Sequence, residues 1–152
     1  MSSERTLVLV KPDGVQRGLV GEVMGRLERR GLHLVGAKFM QIDEDLATRH
    51  YAEHQGKPFY DGLVSFITSG PVMAMVWEGP WAVTMVRTMM GTTNPVQSEP
   101  GTIRGDLAVS LGMNVIHGSD SPERGAQEVE LFFKPQELVE WESASKSWTV
   151  ED

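Results

Sequence analysis

Four short apolar runs divide the chain. Residues 6–10 are rich in β-branched side chains and predict a buried strand, and residues 32–41 predict a second one. Residues 72–77 are apolar throughout, which predicts a third strand in a central place. Residues 114–116 predict a short fourth strand. The runs therefore supply the strands of one small sheet.

Segments with helical spacing or with helix caps separate these runs. The predicted helices run from residue 20 to Gly31, from Asp43 toward His54, over residues 61–68 and 81–90, and from Ser121 to about Phe133. Gly31 suits the position just after a last helical turn. Asp43 and Ser121 suit the cap position, and a proline follows Ser121 as the first helical residue.

Three segments read as irregular. Residues 11–14, Lys-Pro-Asp-Gly, predict a turn. Residues 92–113 lack periodicity, and a loop of this length inside a compact domain is usually functional. The tail from residue 134 predicts one helical turn near residues 136–142 and is otherwise irregular.

The order of elements predicts the fold class. Strand, helix, strand, helices, strand, helix, strand and helix follow one another along the chain. This order is typical of a split βαβ or ferredoxin-like α+β fold, a four-stranded antiparallel sheet with helices on one face. With 152 residues and no repeat or linker, we expect a single domain spanning residues 1–152.

Composition and charge exclude several kinds of protein. The chain has no cysteine, which excludes disulfides and thiolate chemistry. Its net charge of −7 repels nucleic-acid backbones. No stretch approaches the roughly 20 apolar residues of a membrane span, and the start lacks the apolar core of a signal peptide. We expect a cytoplasmic protein with neither a membrane nor a specific nucleic acid as partner.

The familiar phosphate-binding and kinase motifs are missing from the sequence. It contains no GxxxxGK[ST] loop, no GxGxxG and no protein-kinase catalytic loop. One metal motif is present, because His50, Glu53 and His54 match HxxEH, which places two histidines on one helical face as zinc ligands. The alternative is a surface helix that carries two histidines, and we favour it because five-residue matches are frequent by chance.

Other polar residues keep two interpretations each. His117 follows a strand and precedes small residues and a helix start, so it can meet a phosphate or make a local turn hydrogen bond. Arg87, in an apolar helix, and Arg104, expected in an exposed loop, can bind phosphate or pair with acids such as Glu99 or Asp106.

Lys11 ends the first strand, a common place for a ligand-binding side chain. The aromatics Tyr51 and Phe59 can stack on a base or pack in the core.

Five blocks of sequence resemble the nucleoside diphosphate kinase family. Residues 114–121, Asn-Val-Ile-His-Gly-Ser-Asp-Ser, resemble its active-site signature. The other blocks are residues 10–21, 69–79, 93–95 and 100–106, which occur in the family's order and spacing. The resemblance implies a ferredoxin-like core and a ping-pong reaction in which His117 is the nucleophile. By the same resemblance, Glu128 orients His117, and Ser119 holds Glu128.

The resemblance also implies how the nucleotide is bound. Contacts to phosphate, sugar and nucleophile would come from Lys11, Tyr51, Arg87, Thr93, Arg104 and Asn114. Phe59 would stack on the base, while Leu63 and Leu111 would line its slot. Mg²⁺ would arrive on the phosphates, with Asp120 as a ligand through water. The implied partners are ATP, other nucleoside tri- and diphosphates, and further copies of the chain, with a hexamer favoured.

A second class of function stays open from the sequence. The chain could be a non-catalytic oligomer that binds nucleotides or nucleic acid. The negative charge disfavours a general nucleic-acid binder, and the intact set of His117, Glu128, Lys11 and two arginines disfavours a dead enzyme.

Overall fold

The computed structural model describes residues 3–151. The strands are β1 (Glu4–Val10), β2 (His33–Gln41), β3 (Pro71–Gly79) and β4 (Ile116–Gly118). The helices are α1 (Pro12–Gln16), α2 (Val20–Arg30), α3 (Glu44–His50), α4 (Tyr60–Ile67), α5 (Ala82–Met90), α6 (Ile103–Leu107) and α7 (Pro122–Phe132). Single three-ten turns lie at Ala52–His54, Pro95–Gln97, Pro135–Glu137 and Lys146–Trp148.

The four strands form one antiparallel sheet in the order β2-β3-β1-β4. Strands β3 and β1 occupy the middle, as the continuous apolar run of β3 predicts. This order, with helices following β1 and β3, is that of the ferredoxin-like α+β fold. The predicted fold class is therefore confirmed.

Helices cover both faces of the sheet, so the prediction that they lie on one face is wrong. Strand β1 shows the reason, because every residue from Thr6 to Val10 is buried. Its Val8 and Val10 pack against α2, α5 and α6, whereas Leu7 and Leu9 pack against α3, α4 and α7. A strand that is apolar on both faces needs a cover on each.

The predicted helix boundaries agree with the structure where a cap marks them. Gly31 closes α2 with a φ of 101°, a backbone conformation that glycine adopts without strain. The Asp43 side chain accepts a hydrogen bond from the backbone N–H of Leu46 at the start of α3. Ser121 accepts one from the N–H of Arg124 at the start of α7. Local capping chemistry therefore sets these three helix ends.

Two segments predicted as irregular contain helices. The turn predicted at residues 11–14 is the beginning of α1, because Pro12 stands where a helix tolerates a missing N–H. The loop predicted at residues 92–113 contains a three-ten turn and α6, whose cap is the Thr102 hydroxyl. Asn94 before a proline and Thr102 before an apolar residue were the signals for these two starts.

Three other boundaries are corrected. Helix α3 ends at His50 instead of continuing toward His54, which lies on a separate three-ten turn. The fourth strand begins at Ile116, two residues later than predicted, because Val115 has a φ of 74° and cannot belong to a ladder. The turn predicted near residues 136–142 is replaced by the two turns that begin at Pro135 and Lys146.

Two helical glycines differ in what surrounds them and provide a matched test of packing. A Cβ added to Gly125 of α7 would collide with the backbone carbonyl of Arg5 in β1. A Cβ added to Gly62 of α4 meets no described atom within 4 Å. We expect Gly125→Ala to lower the free energy of unfolding by about 1–3 kcal/mol because α7 must move away from the sheet.

The control Gly62→Ala should raise that free energy by about 0.5–1 kcal/mol, since it only restricts the unfolded chain. Urea unfolding of both variants at one protein concentration measures the difference. Equal effects of the two substitutions would contradict the close packing of α7 on β1.

Candidate active site

His117 lies in the middle of β4, directly across from Leu9 of β1. Cross-strand partners point to the same face of a sheet. Leu9 faces α3, α4 and α7, and so does the imidazole of His117. The side chain remains 25% exposed, so a molecule in solvent can reach it.

The carboxylate of Glu128 on α7 holds this imidazole. His117 Nε2 lies 3.1 Å from Glu128 Oε1, and the hydroxyl of Ser119 donates to the same oxygen at 2.6 Å. Ser119 is itself fixed, because its Oγ accepts from the backbone N–H of Leu7 at 3.0 Å. A chain of hydrogen bonds therefore connects β1 with the position of the ring. The structure brings His117, Ser119 and Glu128 together as the sequence predicts.

Glu128 is ionised throughout the neutral range. Burial raises the pKa of this carboxyl, but hydrogen bonds and charge from His117, with the Ser119 hydroxyl, outweigh burial and lower it to about 2. An ionised carboxylate can only accept hydrogen bonds. The neutral imidazole of His117 therefore carries its proton on Nε2, and the lone pair of Nδ1 faces away from Glu128.

His50, at the end of α3, is a member of the site that the sequence reasoning missed. Its ring lies edge-on to that of His117 with 4.8 Å between centroids, and its Nδ1 is 3.5 Å from Glu128 Oε2. Burial lowers the pKa of His50 to about 3, with a further lowering by His117, so this ring is neutral at pH 7. The available signal was helical spacing, since His50 follows the buried Ala47 by three residues.

The HxxEH motif does not form one face of a helix. Because α3 ends at His50, His54 lies away from it, with its ring 5.4 Å from that of Phe59. The zinc site predicted as one alternative, formed by His50 and His54 on one helical face, is therefore absent from residues 3–151.

A strained turn precedes β4. Val115 has a φ of 74°, and the N–H of Ile116 donates to the carbonyl of Asn114 at 2.8 Å, which makes a γ-turn. The side chain of the buried Asp13 accepts a hydrogen bond from the N–H of Val115 at 2.9 Å. The N–H of Lys11 donates to the carbonyl of Val115 at 2.8 Å. Lys11 and Asp13, which directly follow β1, thus hold both backbone groups of Val115.

The ammonium group of Lys11 is close to this turn. It donates to Asn114 Oδ1 at 2.7 Å, and Asn114 Nδ2 donates to the carbonyl of Thr93 at 3.0 Å. Burial lowers the pKa of Lys11 to about 8; the charge of Asp13 raises it and that of Arg104 lowers it. Three predicted site residues from three different segments therefore meet here.

Arg87 and Arg104 donate to backbone carbonyls beside His117. Arg87 Nη1 lies 3.3 Å from the carbonyl of Gly118. The prediction that Arg104 lies in an exposed loop is wrong, because it is buried on α6 and donates to the carbonyls of Asn114, Ile116 and Thr92. Burial, followed by the charge of Arg87, lowers the pKa of Arg104 to about 10.

The predicted alternative of ion pairs for these two arginines is wrong within the described residues. Neither guanidinium lies within 4.0 Å of a carboxylate there, and Asp106 pairs with Arg26 instead. Lys11, Arg87 and Arg104 thus form a cluster of positive charge beside the imidazole. Such a cluster favours an anion.

The remaining predicted residues differ in burial. Tyr51 follows His50 directly, and burial together with the charge of Glu128 raises its pKa to about 12. Phe59 and Leu111 are 51% and 58% exposed, so their apolar surface is available to a ligand. Leu63 lies one turn after Phe59 on α4 and is half-buried, whereas Asp120 and Thr93 are exposed.

An imidazole oriented by a carboxylate beside unpaired cations defines, on this fold, a protein equipped to handle phosphate. A sequence model of the family described as nucleoside diphosphate kinase matches residues 4–138. The chain belongs to the nucleoside diphosphate kinase family.

Individual relatives agree over nearly the whole chain. A nucleoside diphosphate kinase of Haloarcula marismortui is 63% identical over 150 residues, which cover 97% of each chain. One from Carboxydothermus hydrogenoformans is 59% identical and covers 97% of this chain and 99% of its own. A solved structure of the Halobacterium salinarum enzyme in complex with CDP has a TM-score of 0.96 at 57% identity and covers 99% of this chain and 100% of that one.

These relationships establish the general activity. The chain is an enzyme, a nucleotide-binding phosphotransferase of the nucleoside diphosphate kinase type. None of its described helices is long and apolar enough to cross a bilayer.

The neutral His50 makes the stability of the fold depend on pH. The unfolded chain protonates this imidazole below its ordinary pKa of 6.5, whereas the folded chain keeps it neutral down to about 3. Stability is therefore lost as the pH falls through this window. We expect the free energy of unfolding to drop by about 2 kcal/mol between pH 6.5 and pH 5 from this residue.

Urea unfolding at several pH values, at fixed protein concentration, measures this slope. His50→Gln should flatten it, and the control His54→Gln should leave it as in the unmodified chain. A slope that persists in His50→Gln would assign the pH dependence to other groups.

Proposed function

We propose that the enzyme transfers the γ-phosphoryl group of ATP or another nucleoside triphosphate to a nucleoside diphosphate in two steps, through a phosphorylated His117. The observation that carries this proposal is the orientation of the imidazole. Glu128 occupies Nε2, which leaves Nδ1 with a free lone pair on a partly exposed ring. We also propose that residues 1–152 act as one domain and work in the cytoplasm, where nucleotides are available.

In the first step Nδ1 attacks the γ-phosphorus. A nitrogen–phosphorus bond forms, the bond to the bridging oxygen breaks, and the electron pair leaves with the nucleoside diphosphate. The positive charge that develops on the ring lies 3.1 Å from the ionised Glu128, which stabilises it through Nε2–H. In the second step an oxygen of another diphosphate attacks the phosphorus, the nitrogen–phosphorus bond breaks, and its electron pair returns to Nδ1, which restores neutral His117.

The three cations beside the imidazole supply charge stabilisation. Lys11, Arg87 and Arg104 face the segment that carries His117, and none of them has a carboxylate within ion-pair distance among the described residues. Phosphoryl transfer needs positioning and charge neutralisation more than proton transfer. A pKa of about 8 keeps most Lys11 side chains charged at pH 7.

Mg²⁺ fits this site as a companion of the nucleotide. Asp120 is an exposed carboxylate three residues after His117, a suitable ligand through water for an ion held by phosphate oxygens. Bound there, the ion would neutralise charge on the phosphates. Within the described part of the chain, the acidic groups near the site are otherwise engaged, since Glu128 holds His117 and Asp13 holds Val115.

The exposed apolar residues suit the base, and the polar ones suit the sugar. Phe59 offers a ring face for stacking, and Leu63 and Leu111 would flank the base. Stacking accepts any base, which would permit a broad range of nucleotides. Tyr51, Thr93 and Asn114 would contact phosphate or sugar. The CDP complex of the Halobacterium salinarum enzyme supports nucleotide binding at a site on this fold.

The phosphorylated intermediate can be tested directly. We expect the protein to take up label from γ-³²P-ATP and Mg²⁺ without acceptor, because Nδ1 of His117 is the free nucleophile. The label should resist alkali, be lost in acid and pass to added GDP. His117→Ala should take up no label and still bind nucleotide, because the cations and the base site remain.

A histidine outside the site serves as the control. His33 bonds the carbonyl of Trp141 at 2.9 Å on another part of the sheet, so His33→Ala should be labelled like the unmodified chain. Labelling of a folded His117→Ala chain, or no labelling of the unmodified chain that binds nucleotide, would overturn the proposed intermediate. The second result would favour a non-catalytic nucleotide-binding oligomer.

We propose in addition that the chain forms a homo-oligomer, with a hexamer favoured by the family resemblance. Strand β2 is an edge strand, and an unpaired ladder edge is a template for another chain. Phe39 on this edge is 60% exposed, and Val109 on the segment before β4 is 88% exposed. Both are apolar surfaces that a second copy would cover.

Light scattering at low and high salt tests this assembly. We expect a mass that is a multiple of 16.8 kDa at both salt concentrations, because apolar contacts resist screening. Phe39→Glu should lower the mass, and Gly62→Ala serves as a surface control. A mass of a single chain at both salt concentrations would contradict the oligomer.

A further inference from the structure

Three side chains of the site, two imidazoles and one carboxylate, are of the types that bind transition metals. Potential ligand atoms of His50, His117 and Glu128 lie within 4.8 Å of one another. Two of the separations are shorter, 3.1 Å from His117 Nε2 to Glu128 Oε1 and 3.5 Å from His50 Nδ1 to Glu128 Oε2. The three residues come from α3, β4 and α7, so the fold assembles this cluster from distant parts of the sequence.

We propose that these three side chains bind one Zn²⁺ ion per chain and that the bound ion inhibits phosphoryl transfer. Two imidazoles and one carboxylate are a donor set that Zn²⁺ prefers, with a fourth position left for water. Metal–ligand bonds of about 2.0 Å place tetrahedral ligand atoms about 3.3 Å apart. The ligand atoms of the cluster lie up to 4.8 Å apart, so binding would shorten the longest separation by about 1.5 Å.

A buried polar atom without a partner supports this site independently. His50 is 4% exposed, and its Nδ1 has no hydrogen bond within the described residues, although it lies on the side of Glu128. Its distance to the carboxylate is too long for a good hydrogen bond. Such groups are normally satisfied, and a cation between Nδ1 and Glu128 would satisfy this one.

Two nearby groups bear on the binding of a cation. Arg124 Nη2 lies 3.3 Å from Glu128 Oε2 and competes with the ion for that oxygen. Its side chain is 30% exposed, so it can turn into solvent. His54 faces Phe59 and Tyr51 instead, which leaves it outside the proposed ligand set.

The expected inhibition follows from the atom that the ion occupies. Zn²⁺ would bind the lone pair of His117 Nε2, so the ring proton would move to Nδ1, which then has no free lone pair with which to attack phosphorus. It would also take the Glu128 oxygens that stabilise charge on the ring. This part of the inference rests on the proposed phosphohistidine, whereas metal binding itself does not.

Binding is tested first, without nucleotide and without Mg²⁺. Calorimetric titration with Zn²⁺ should show one site per chain, and Co²⁺ as a probe should give visible absorption of a four-coordinate ion that Zn²⁺ abolishes. His50→Gln should weaken binding by at least about tenfold, since loss of even an outer partner costs that much. The control His54→Gln should bind as the unmodified chain does.

Several outcomes would overturn the site. Absence of binding, or equal weakening by His50→Gln and His54→Gln, would do so, the second by assigning the ion to the HxxEH pair. If His50→Gln does not fold, Arg124→Gln decides. It should bind Zn²⁺ more tightly because the competing cation is gone, and unchanged or weaker binding counts against the proposal.

Inhibition is tested second, by labelling with γ-³²P-ATP and Mg²⁺ at increasing Zn²⁺. Labelling of the unmodified chain should fall over the range in which Zn²⁺ binds, and His54→Gln should follow the same curve. Equal sensitivity of His50→Gln would contradict inhibition through this cluster. An unmodified chain that takes up no label without Zn²⁺ refutes the proposed intermediate, while the binding titration still decides the metal site.

Discussion

The position of β4, the strand that carries His117, depends on the fixed backbone of Val115. A β-branched residue with a positive φ costs on the order of 1–3 kcal/mol and persists only where its surroundings hold it. Here the carboxylate of Asp13 and the N–H of Lys11 hold its two backbone groups. The turn directs Asn114 toward Lys11 and starts β4 in the register that places His117 opposite Leu9. The strain at Val115 thus fixes the position of the His117 imidazole relative to the Lys11 ammonium group.

The site has two electrostatic sides. On the side of α7, the ionised Glu128 lies directly against Nε2, Arg124 pairs with its other oxygen, and the neighbouring His50 stays neutral because it is buried. On the side of α5 and α6, the cations stand near one another without carboxylate partners among residues 3–151. The first arrangement suits a positive charge on the ring, and the second suits an anion. An acidic chain can therefore attract an anion to one small region.

The helix starts and the central place of β3 were predictable from local sequence. Caps such as Asp43 and Ser121 fix helix starts by short-range chemistry, and the apolar run of β3 required a central strand. The cover on both faces was missed because helix placement depends on packing between distant segments. The role of His50 was missed for the same reason, since its partners lie on α7 and β4. The burial of Arg104 was missed because the carbonyls that accept from it, those of Thr92, Asn114 and Ile116, lie on other segments.

Arg104 joins parts of the chain that carry different tasks. One guanidinium bonds the carbonyl of Thr92, where the segment between α5 and α6 begins, and those of Asn114 and Ile116, where β4 begins. Local opening of either segment therefore breaks a bond of the guanidinium that also holds the other. The two should exchange their amide hydrogens as one cooperative unit, and a fluctuation that releases a ligand from the loop would also disorganise the imidazole. We therefore expect these two parts of the active site to open together and not one at a time.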